Sequence, residues 1–539
     1  MKTRSKPAKI LFVSLFLTIG SAVLTNCTKD EIIKPDVKTE TDYGKTISRA
    51  VDPNLADASI NGYNNAFLTQ SGGRTYYKAA LNNGNPDGFW TLALSIMGMQ
   101  DTYERTGTAA HRTLVNDLCT SYLQIHPPPY TWDGWNDDIA WVGLMLARGY
   151  QMTGTANLRT QAEYCFNLVY NRGWDTQYNG GGIWEQQPDM TPNGEEIIKE
   201  ALSNNTTGKL GCLLFEITGN TDYRTKAQRI WDWSRSRIYN ASTGEVYRGI
   251  YRDNTLSFGP AVYNQGTFVD FAAHLYRITG DAGVLADAQK AADYVVNNLT
   301  SNGIISNNAT YLNTWADEYA RGLGHLCRWN PQLWNKYYNF MSNNANAAWN
   351  NRRTDFNITA NAWAESTPTD PAGYPTRYVS AVAMLQFTPP INPTSGSIAT
   401  GVYRIINRNS GKALDASGAG TSDNTSIIQY TYSGASNQRW RITNLGNNRY
   451  NIINENANKA VDVTGASRTP GTACILYGYN GGSNQQFTLA SPSPGYYTLF
   501  FLHDYQVLDV NASSTANNAT VLQWGYNGGN NQQWQIAAP

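Results

Sequence analysis

The chain has 539 residues, with 41 lysines and arginines balanced by 41 aspartates and glutamates, and it is too long for one ordinary domain. No basic stripe is visible, so nucleic acid is not expected as a partner. The six cysteines are widely separated and the five histidines form no cluster with ligand spacing. We therefore expect neither a disulfide framework nor a metal site, and we predict no cofactor.

Residues 1–27 have the layout of a bacterial lipoprotein signal. Four cations precede an uncharged apolar run, Ile10 to Leu24, which is short for a membrane span. The run leads to Cys27, which resembles the lipidated first residue of a mature lipoprotein, although Asn26 departs from the small residue that usually precedes it. The following Lys29-Asp30-Glu31 resembles the signal that sends Bacteroidetes-type lipoproteins to the outer cell surface.

This pattern predicts an exported outer-membrane lipoprotein that is exposed at the cell surface. Its only attachment to the membrane would be the lipid anchor, and the polar residues 28–50 would serve as a tether. We expect the protein to be a monomer.

Residues 51–388 are helical in pattern and repeat loosely. Several apolar helices end in Thr-Gly, and glycine after the last turn is the expected helix stop. Intervals of about 47 to 65 residues between these signals suit paired helices, which can stack as an open solenoid or close as a ring. We favour the ring, because loops rich in tryptophan and glycine at 131–135, 180–184 and 258–266 would then converge on one end.

The segment from Thr131 to Trp141 sets two adjacent carboxylates, Asp137 and Asp138, among three tryptophans. Glycosidic bonds are usually cleaved by a pair of Asp or Glu side chains, and indole rings offer flat apolar faces to sugars. At a helix start, both carboxylates can project into a mouth at the helix end, and their repulsion raises one pKa. The competing interpretation is that the acids only cap the helix and face solvent.

Four motifs occur in the order seen in glycoside hydrolase family 76, and this similarity covers nearly all of the helical region. The motifs are Trp135 to Trp141, Gly181 to Trp184, Glu200 to Asn205 and Tyr263 to Gly266. The resemblance implies a retaining endo-α-1,6-mannanase built on an (α/α)6 barrel. It assigns the nucleophile to Asp137 and the acid/base to Asp138, whose neighbouring side chains can meet the roughly 5–5.5 Å separation that retention requires.

Six residues of these motifs are predicted to contact substrate: Trp135, Trp184, Asn204, Tyr263, Asn264 and Gln265. Aromatic faces can stack on sugars, and amides can both donate to and accept from hydroxyls. Each also has a structural interpretation, since the tryptophan can pack and the amides can cap a helix or end a turn. A second acidic pair, Asp317 and Glu318, is ranked lower because it lies outside the catalytic motif of the family.

A stiff, uncharged linker at 389–397 marks a domain boundary. Beyond it, residues 398–539 repeat with a strict interval of 47 residues, which predicts a threefold β architecture. The repeated residues are Asp415, Asp462 and Asp509; Tyr430, Tyr477 and Trp524; and Asn437, Asn484 and Asn531.

These units resemble the ricin-type β-trefoil, also classed as carbohydrate-binding module family 13. The resemblance assigns Trp440, Phe487 and Trp534 to the core. It implies that in each unit the Asp accepts from sugar hydroxyls, the aromatic ring stacks on the sugar and the Asn completes the hydrogen bonds. Three weak sites would gain from multivalency. The competing interpretation is that the repetition reflects fold symmetry alone.

The sequence thus predicts an all-α (α/α)6 barrel followed by an all-β β-trefoil. The barrel would cut internal α-1,6-mannosidic linkages in a mannan-type polysaccharide, while the trefoil holds glycan. Two alternatives stay open. One is transglycosylation through the same covalent intermediate; the other is non-catalytic glycan capture, in which the barrel only presents a groove.

Overall fold

The computed structural model describes residues 50–187, 197–259, 261–305 and 316–539. The predicted signal segment, the lipidation site at Cys27 and all but the last residue of the predicted tether lie outside these ranges. Within them, no helix combines the length and the apolar character needed to cross a bilayer.

The described part of the helical region contains twelve α-helices. They are α1 (Leu55–Phe67), α2 (Phe89–Thr106), α3 (Ala109–Ile125), α4 (Asn136–Thr153), α5 (Ala156–Gly173), α6 (Ala201–Thr218), α7 (Thr221–Arg237), α8 (Val262–Thr279), α9 (Ala282–Asn298), α10 (Ala316–Trp329), α11 (Trp334–Asn350) and α12 (Val379–Phe387).

The even-numbered helices form a closed inner ring. Each packs on the next even-numbered helix, and α12 packs back on α2, while the odd-numbered helices flank the ring. This is the predicted (α/α)6 barrel. The division follows from the sequence: α4 is buried continuously from Ile139 to Gly149, whereas α7 buries only a stripe. A helix that is apolar on all sides must be enclosed by neighbours.

The predicted Thr-Gly signals end four inner helices. Gly107, Gly154, Gly219 and Gly280 follow α2, α4, α6 and α8 with φ between 62° and 77°, the left-handed conformation of a C-terminal cap. The first turns of neighbouring inner helices lie side by side. The Ser380 hydroxyl in the first turn of α12 is 3.4 Å from the Asp317 carboxylate in the first turn of α10. The inner helices therefore run in one direction, and their first turns share one end of the barrel.

Short strands lie in the loops between the helices of the barrel. They are β1 (Leu68–Ser71), β2 (Arg74–Ala80), β3 (Asn83–Pro86), β4 (Ile198–Glu200), β5 (Gly249–Tyr251), β6 (Leu256–Ser257), β7 (Thr300–Ser301) and β8 (Ile304–Ile305). The pairing of β4 with β5 sets Glu200 opposite Gly249, immediately before the first turn of α6.

The C-terminal region contains twelve described strands, four in each repeat. They are β9 (Gly401–Asn407), β10 (Ala413–Ala416), β11 (Ile427–Tyr430), β12 (Trp440–Gly446), β13 (Arg449–Asn454), β14 (Ala460–Val463), β15 (Cys474–Tyr477), β16 (Phe487–Ser493), β17 (Tyr496–Phe501), β18 (Val507–Val510), β19 (Ala519–Trp524) and β20 (Trp534–Ala537). All their pairings are antiparallel, and the three repeats share one core. Trp440, Phe487 and Trp534 are fully buried in it, as predicted.

The segment 389–397 is packed rather than free. The carbonyl of Pro390 accepts hydrogen bonds from the Val51 amide at 3.0 Å and the Tyr338 hydroxyl at 2.9 Å. At its other end, the Gly396 amide donates to the carbonyl of Leu489 at 2.8 Å. The sequence predicts a linker because its composition is typical of unpacked segments. In the structure, these hydrogen bonds hold the segment in one conformation.

The barrel and the trefoil also touch directly. The Tyr505 hydroxyl accepts from the Trp334 indole at 3.1 Å and donates to the Arg328 carbonyl at 3.2 Å. Gly107, which caps α2, lies so close to the Arg468 carbonyl that a β-carbon there would be 1.8 Å from the oxygen. The two domains belong to one compact unit, Ser48–Pro539.

Candidate active site

The adjacent acids lie in the first turn of an inner helix. Helix α4 begins at Asn136 with Trp135 as its N-cap, so Asp137 and Asp138 open the helix, as the sequence predicts. Both are half-buried. The Oδ1 atom of Asp137 is buried and has no hydrogen-bond partner among the described residues, so it is available to a bound molecule.

Asn136 ties the loop before α4 to the loop at 183–187. Its side-chain nitrogen donates to the Trp184 carbonyl at 2.7 Å, and its side-chain oxygen accepts from Nε of Arg172 at 2.7 Å. Arg172 also donates to the Asp133 carbonyl at 2.8 Å. These buried contacts fix the direction in which the two acids leave the helix.

Burial and nearby negative charge raise the pKa values of both acids. Burial, followed by the negative charge of Glu200, raises the pKa of Asp137 to about 7. Burial, followed by the charge of Asp137, raises the pKa of Asp138 well above its ordinary value. In such a coupled pair the first proton leaves the group with the lower pKa. One carboxyl of the pair can therefore be ionised while the other keeps its proton.

Two further acids belong to this cluster. Glu200 is buried and forms an ion pair with Arg248. Glu185 lies in the loop that Asn136 ties down, and burial together with the charges of Glu200 and Asp137 raises its pKa to about 10. The sequence analysis missed both roles. Glu200 opens one of the four family motifs, so its position was a usable signal, whereas nothing local marks Glu185.

Asn204, which the sequence predicts to contact substrate, has a structural role in the described part of the chain. The residue is fully buried. Its side-chain oxygen accepts from the Ile183 amide at 2.7 Å, while its nitrogen donates to the carbonyls of Ile183 at 2.9 Å and Glu200 at 2.7 Å. Asn204 therefore anchors the loop that carries Trp184 and Glu185.

Two amides that the sequence predicts to contact sugar, Asn264 and Gln265, are enclosed by the protein. Helix α8 begins at Val262, so both lie inside its first turn, and both are fully buried. The Gln265 amide, oriented by its neighbours, donates to the Gly244 carbonyl at 3.2 Å and accepts from the Val246 amide at 2.9 Å. It holds the 244–246 loop. The Asn264 amide has no partner among the described residues, and its burial keeps it away from the solvent in the cleft.

Tyr263 lies beside the acidic cluster. It is largely buried, and burial followed by the charge of Glu200 raises its pKa above its ordinary range. Trp184 is also largely buried, with the ammonium of Lys199 over its ring at 4.5 Å from the centroid. Tyr263 and Trp184 therefore form walls of the site, and neither presents a free face to solvent.

Other aromatic rings at this end of the barrel are exposed to solvent. Trp135 is 37% exposed, as expected of a stacking surface, and Trp132 is 57% exposed. Phe258 and Tyr374, which precede α8 and α12, are exposed as well. Trp132 stood in the Trp-rich segment but was not singled out from the sequence. Exposed rings around a mouth suit the flat faces of sugars.

The second acidic pair is structural. Asp317 and Glu318 are buried, and both form ion pairs with Arg321 on the next turn of α10. Arg321 also pairs with Asp101 on α2 at 2.9 Å. These acids balance a buried guanidinium, which agrees with the lower rank that the sequence gave them.

The trefoil brings each predicted Asp and aromatic residue to one face. Ala413 pairs with Tyr430 across β10 and β11, and Asp415 lies two residues beyond Ala413, on the same side of the strand. The other repeats have the same register. Tyr430, Tyr477 and Trp524 are 40%, 41% and 44% exposed, so each unit presents a ring beside a carboxylate.

Each of these carboxylates is held through a single oxygen. The Oδ2 atom of Asp462 accepts from Asn484 at 3.0 Å and from Gln485 at 2.8 Å. In the third unit, Asn531 and Gln532 make the same contacts to Asp509. In the first unit Gln438 holds Asp415, whereas the Asn437 nitrogen donates to the Ala416 carbonyl at 3.2 Å.

The glutamine that holds each Asp is the first residue of its Gln-x-aromatic triplet. The sequence analysis recognised the triplets only as the ends of units. The strict repeat was the signal for this role, because Gln438, Gln485 and Gln532 keep the same interval as the acids that they hold.

The helical barrel is closed, and the end where its inner helices begin carries two adjacent carboxylates among exposed aromatic rings. The model of Glycosyl hydrolase family 76 matches residues 60–389, more than half of the chain, and the chain belongs to that family. A second model, Ricin-type beta-trefoil lectin domain-like, matches residues 386–477 and 483–539.

Curated relatives include two fungal mannan endo-1,6-α-mannosidases. The protein from Candida glabrata is 28% identical over 192 residues, which are 33% of this chain and 41% of the relative. The protein from Saccharomyces cerevisiae is 24% identical over 238 residues, which are 40% of this chain and 51% of the relative. The chain spans about half the length of the curated relatives it matches.

Solved structures share the fold of the barrel. An inactive variant of an α-1,6-mannanase of Salegentibacter sp., with two adjacent aspartates replaced by alanine and in complex with α-1,6-mannotetrose, is 23% identical with a TM-score of 0.56. The match covers 62% of this chain and 98% of that one. A family 76 α-mannanase of Bacteroides thetaiotaomicron is 16% identical with a TM-score of 0.52, over 62% of this chain and 97% of that one.

Proposed function

We propose that this protein is a retaining endo-acting α-1,6-mannanase that cuts internal linkages of a mannan-type polysaccharide. The observation that carries the proposal is the coupled pair Asp137 and Asp138 in the first turn of α4, at the end of the barrel where exposed tryptophans collect. The mannosidases and mannanases among its relatives favour mannan as the substrate.

In this mechanism Asp137, the acid that ionises first, attacks the anomeric carbon and forms a mannosyl ester. Asp138, which keeps its proton, gives that proton to the departing oxygen. Asp138 then removes a proton from water, and the water attacks the ester, releasing Asp137 as a carboxylate and the sugar with its original configuration. The protonated Glu185 and the Glu200–Arg248 ion pair adjust the charge around Asp137.

The trefoil would hold the enzyme on glycan through three equivalent sites. In each, the carboxylate oxygen that the protein leaves free accepts from sugar hydroxyls, while the exposed ring stacks on the sugar. Individually weak sites on one rigid domain gain affinity from the high effective concentration of repeated sugars along a polymer.

The decisive experiment follows the products that the full chain releases from unbranched α-1,6-mannan. Nuclear magnetic resonance should detect α-configured reducing ends first, and chromatography should show a ladder of internal fragments. Asp137→Asn and Asp138→Asn should each lose at least about a hundredfold in kcat/KM. Asp232→Asn, at an exposed acid on α7, is the matched control and should keep full activity.

Other outcomes overturn parts of this proposal. First products with the β configuration would exclude retention, and release of single mannose units alone would exclude endo action. Products longer than the starting oligosaccharide that appear only with added acceptor would indicate transglycosylation. A parent protein that binds mannan without cleaving it would indicate glycan capture.

We also propose that the protein is an exported lipoprotein at the outer cell surface. The proposal rests on the sequence before Cys27 and on the Lys29-Asp30-Glu31 segment that follows. Cys27→Ser should release the protein from the membrane fraction, and external protease should digest the parent protein on intact cells. A parent protein that remains protected from the protease would exclude surface exposure.

A further inference from the structure

We propose that Asp270, His274 and His325 form a binding site for a divalent transition-metal ion such as Zn²⁺, towards the end of the barrel opposite the catalytic acids. Asp270 lies at the middle of α8, His274 lies in the second half of that helix, and His325 lies in the second half of α10. The site is separate from the chemistry proposed above, which uses no metal.

The three side chains already have the spacing of a metal site. Asp270 and His274 are four residues apart on one helix and therefore share a face. The Asp270 Oδ1 atom is 2.7 Å from Nδ1 of His325 and 3.7 Å from Nε2 of His274. The three ligand atoms lie within 4.8 Å of one another, and tetrahedral zinc places its ligands roughly 3.3 Å apart. Small side-chain rotations would close the site.

His274 points independently to a ligand. It is 5% exposed, and neither of its ring nitrogens has a hydrogen-bond partner among the described residues. Buried polar groups are nearly always satisfied, because leaving one unpaired costs about 1–3 kcal/mol. A metal ion on His274 would remove this deficit at one nitrogen.

The surroundings match the supporting contacts of known metal sites. A histidine that binds metal usually gives its other ring N–H to a carboxylate, and Nε2 of His325 lies 3.0 Å from Oε1 of Glu104. The second oxygen of Asp270 is held by Lys209. In the metal-free protein a proton bridges Asp270 and His325, so binding of the ion would release that proton to solvent.

A cavity gives the ion access and room for further ligands. It has a volume of about 360 Å³, and His274, His325, Glu216 and Arg468 are among the residues that line it. Water that enters through this cavity would supply the fourth ligand; the buried Oε2 atom of Glu216, which has no partner among the described residues, also lies at the cavity wall. Since Arg468 belongs to the trefoil, the site opens at the junction of the two domains.

The test uses untagged full-length protein, stripped by chelator, exposed to Zn²⁺ or Co²⁺ at pH 7.5 and then desalted. The parent protein should retain about one equivalent, and Co²⁺ should give a visible absorption spectrum of a protein-bound ion. His274→Ala should bind at least about a hundredfold more weakly, and Glu104→Gln about tenfold more weakly. His111→Ala, at a half-buried histidine of outer helix α3, is the matched control.

His274 makes no hydrogen bond, so its loss should leave the metal-free fold intact, which circular dichroism and the metal-free Tm will establish. Zn²⁺ should then raise the Tm of the parent protein but not that of His274→Ala. Retention of less than a tenth of an equivalent by the parent overturns the proposal. Equal retention by the parent and His274→Ala, or a loss in His111→Ala as large as in His274→Ala, also overturns it.

Discussion

The side-chain nitrogen of Asn136 donates to the Trp184 carbonyl across 2.7 Å, so the residue before Asp137 also holds the neighbouring loop. The same loop carries Glu185, whose pKa is raised in part by the charge of Asp137. The buried amide of Asn136 therefore links the first turn of α4 to the loop that carries Glu185.

Asn136→Ala should weaken both stability and activity. It removes the side-chain donor to the Trp184 carbonyl and one of the acceptors of Arg172, which costs about 1–3 kcal/mol in the free energy of unfolding. It should also lower kcat about tenfold to a hundredfold, because the two acids lose their fixed direction. Calorimetry and mannan hydrolysis measure both effects. The control Asn157→Ala, on the exposed face of α5, should change neither the free energy of unfolding nor kcat. A normal kcat in Asn136→Ala would show that Asn136 does not position the two acids.

The pH profile should be bell-shaped, with its acid limb near pH 7. Asp137 must be ionised to attack, so activity falls as the pH drops through its pKa of about 7. Asp138 must be protonated, so activity also falls at higher pH as that proton leaves. The measurement is kcat/KM against pH in the free enzyme. An acid limb near pH 4 would show that the cluster does not perturb Asp137.

Glu200→Gln should move that acid limb to lower pH. It removes the negative charge that raises the pKa of Asp137 and also frees the positive charge of Arg248. Both changes favour the ionised form of Asp137. A limb that stays in place or moves to higher pH would contradict this coupling.

Asp137→Asn should stabilise the inactive protein at alkaline pH. The folded pKa of Asp137, about 7, lies above the unfolded value near 3.8, so stability is lost progressively as the pH rises from about 3.8 to about 7, and the full cost is present above pH 7. Allowing for its partial exposure, removal of the charge should add about 1–3 kcal/mol at pH 8. At pH 4, where the folded state keeps this proton, the gain should vanish. A gain that is equal at both pH values would refute the electrostatic cause.

Tyr477→Ala and Gln485→Ala should each weaken the retardation of the protein in a gel containing α-1,6-mannan. The first removes an exposed ring, and the second removes the buried amide that holds Asp462. Either loss should reduce affinity about threefold to tenfold, because the two remaining sites still bind. Tyr496→Ala is the matched control, since Tyr496 is a half-buried ring of the same domain that has no equivalent at the 47-residue interval. Equal loss in that variant would refute the site assignment.

Gly107→Ala and Gly154→Ala should differ in stability although both residues cap inner helices with positive φ. A β-carbon at Gly107 would meet the Arg468 carbonyl, whereas one at Gly154 would have no atom within 4 Å. Both variants carry the backbone cost of about 1 kcal/mol, and only Gly107→Ala should also loosen the trefoil. Limited proteolysis between the domains measures the difference, and equal cleavage would show that this contact does not hold them together.

Much of the fold was readable because its signals are local. The Thr-Gly stops and the all-apolar course of α4 indicated paired helices around a closed ring, and the 47-residue interval indicated three β units. The role of segment 389–397 was not readable, since the contacts of Pro390 come from Val51 and Tyr338. Contacts between residues so far apart in sequence produce no local pattern from which they could be predicted.

The sequence by itself determined that Asp137 and Asp138 lie at a helix start and that sets of Asp, aromatic ring and Asn repeat three times, because helix caps and repeats are encoded by neighbouring residues. Only the tertiary structure decided which polar residues line the cleft and which support it. Asn204 and Gln265 are buried anchors, while Glu185 and Glu200 converge on Asp137 from separate loops. Burial and electrostatic coupling depend on distances across the closed ring, and these exist only once the barrel has folded.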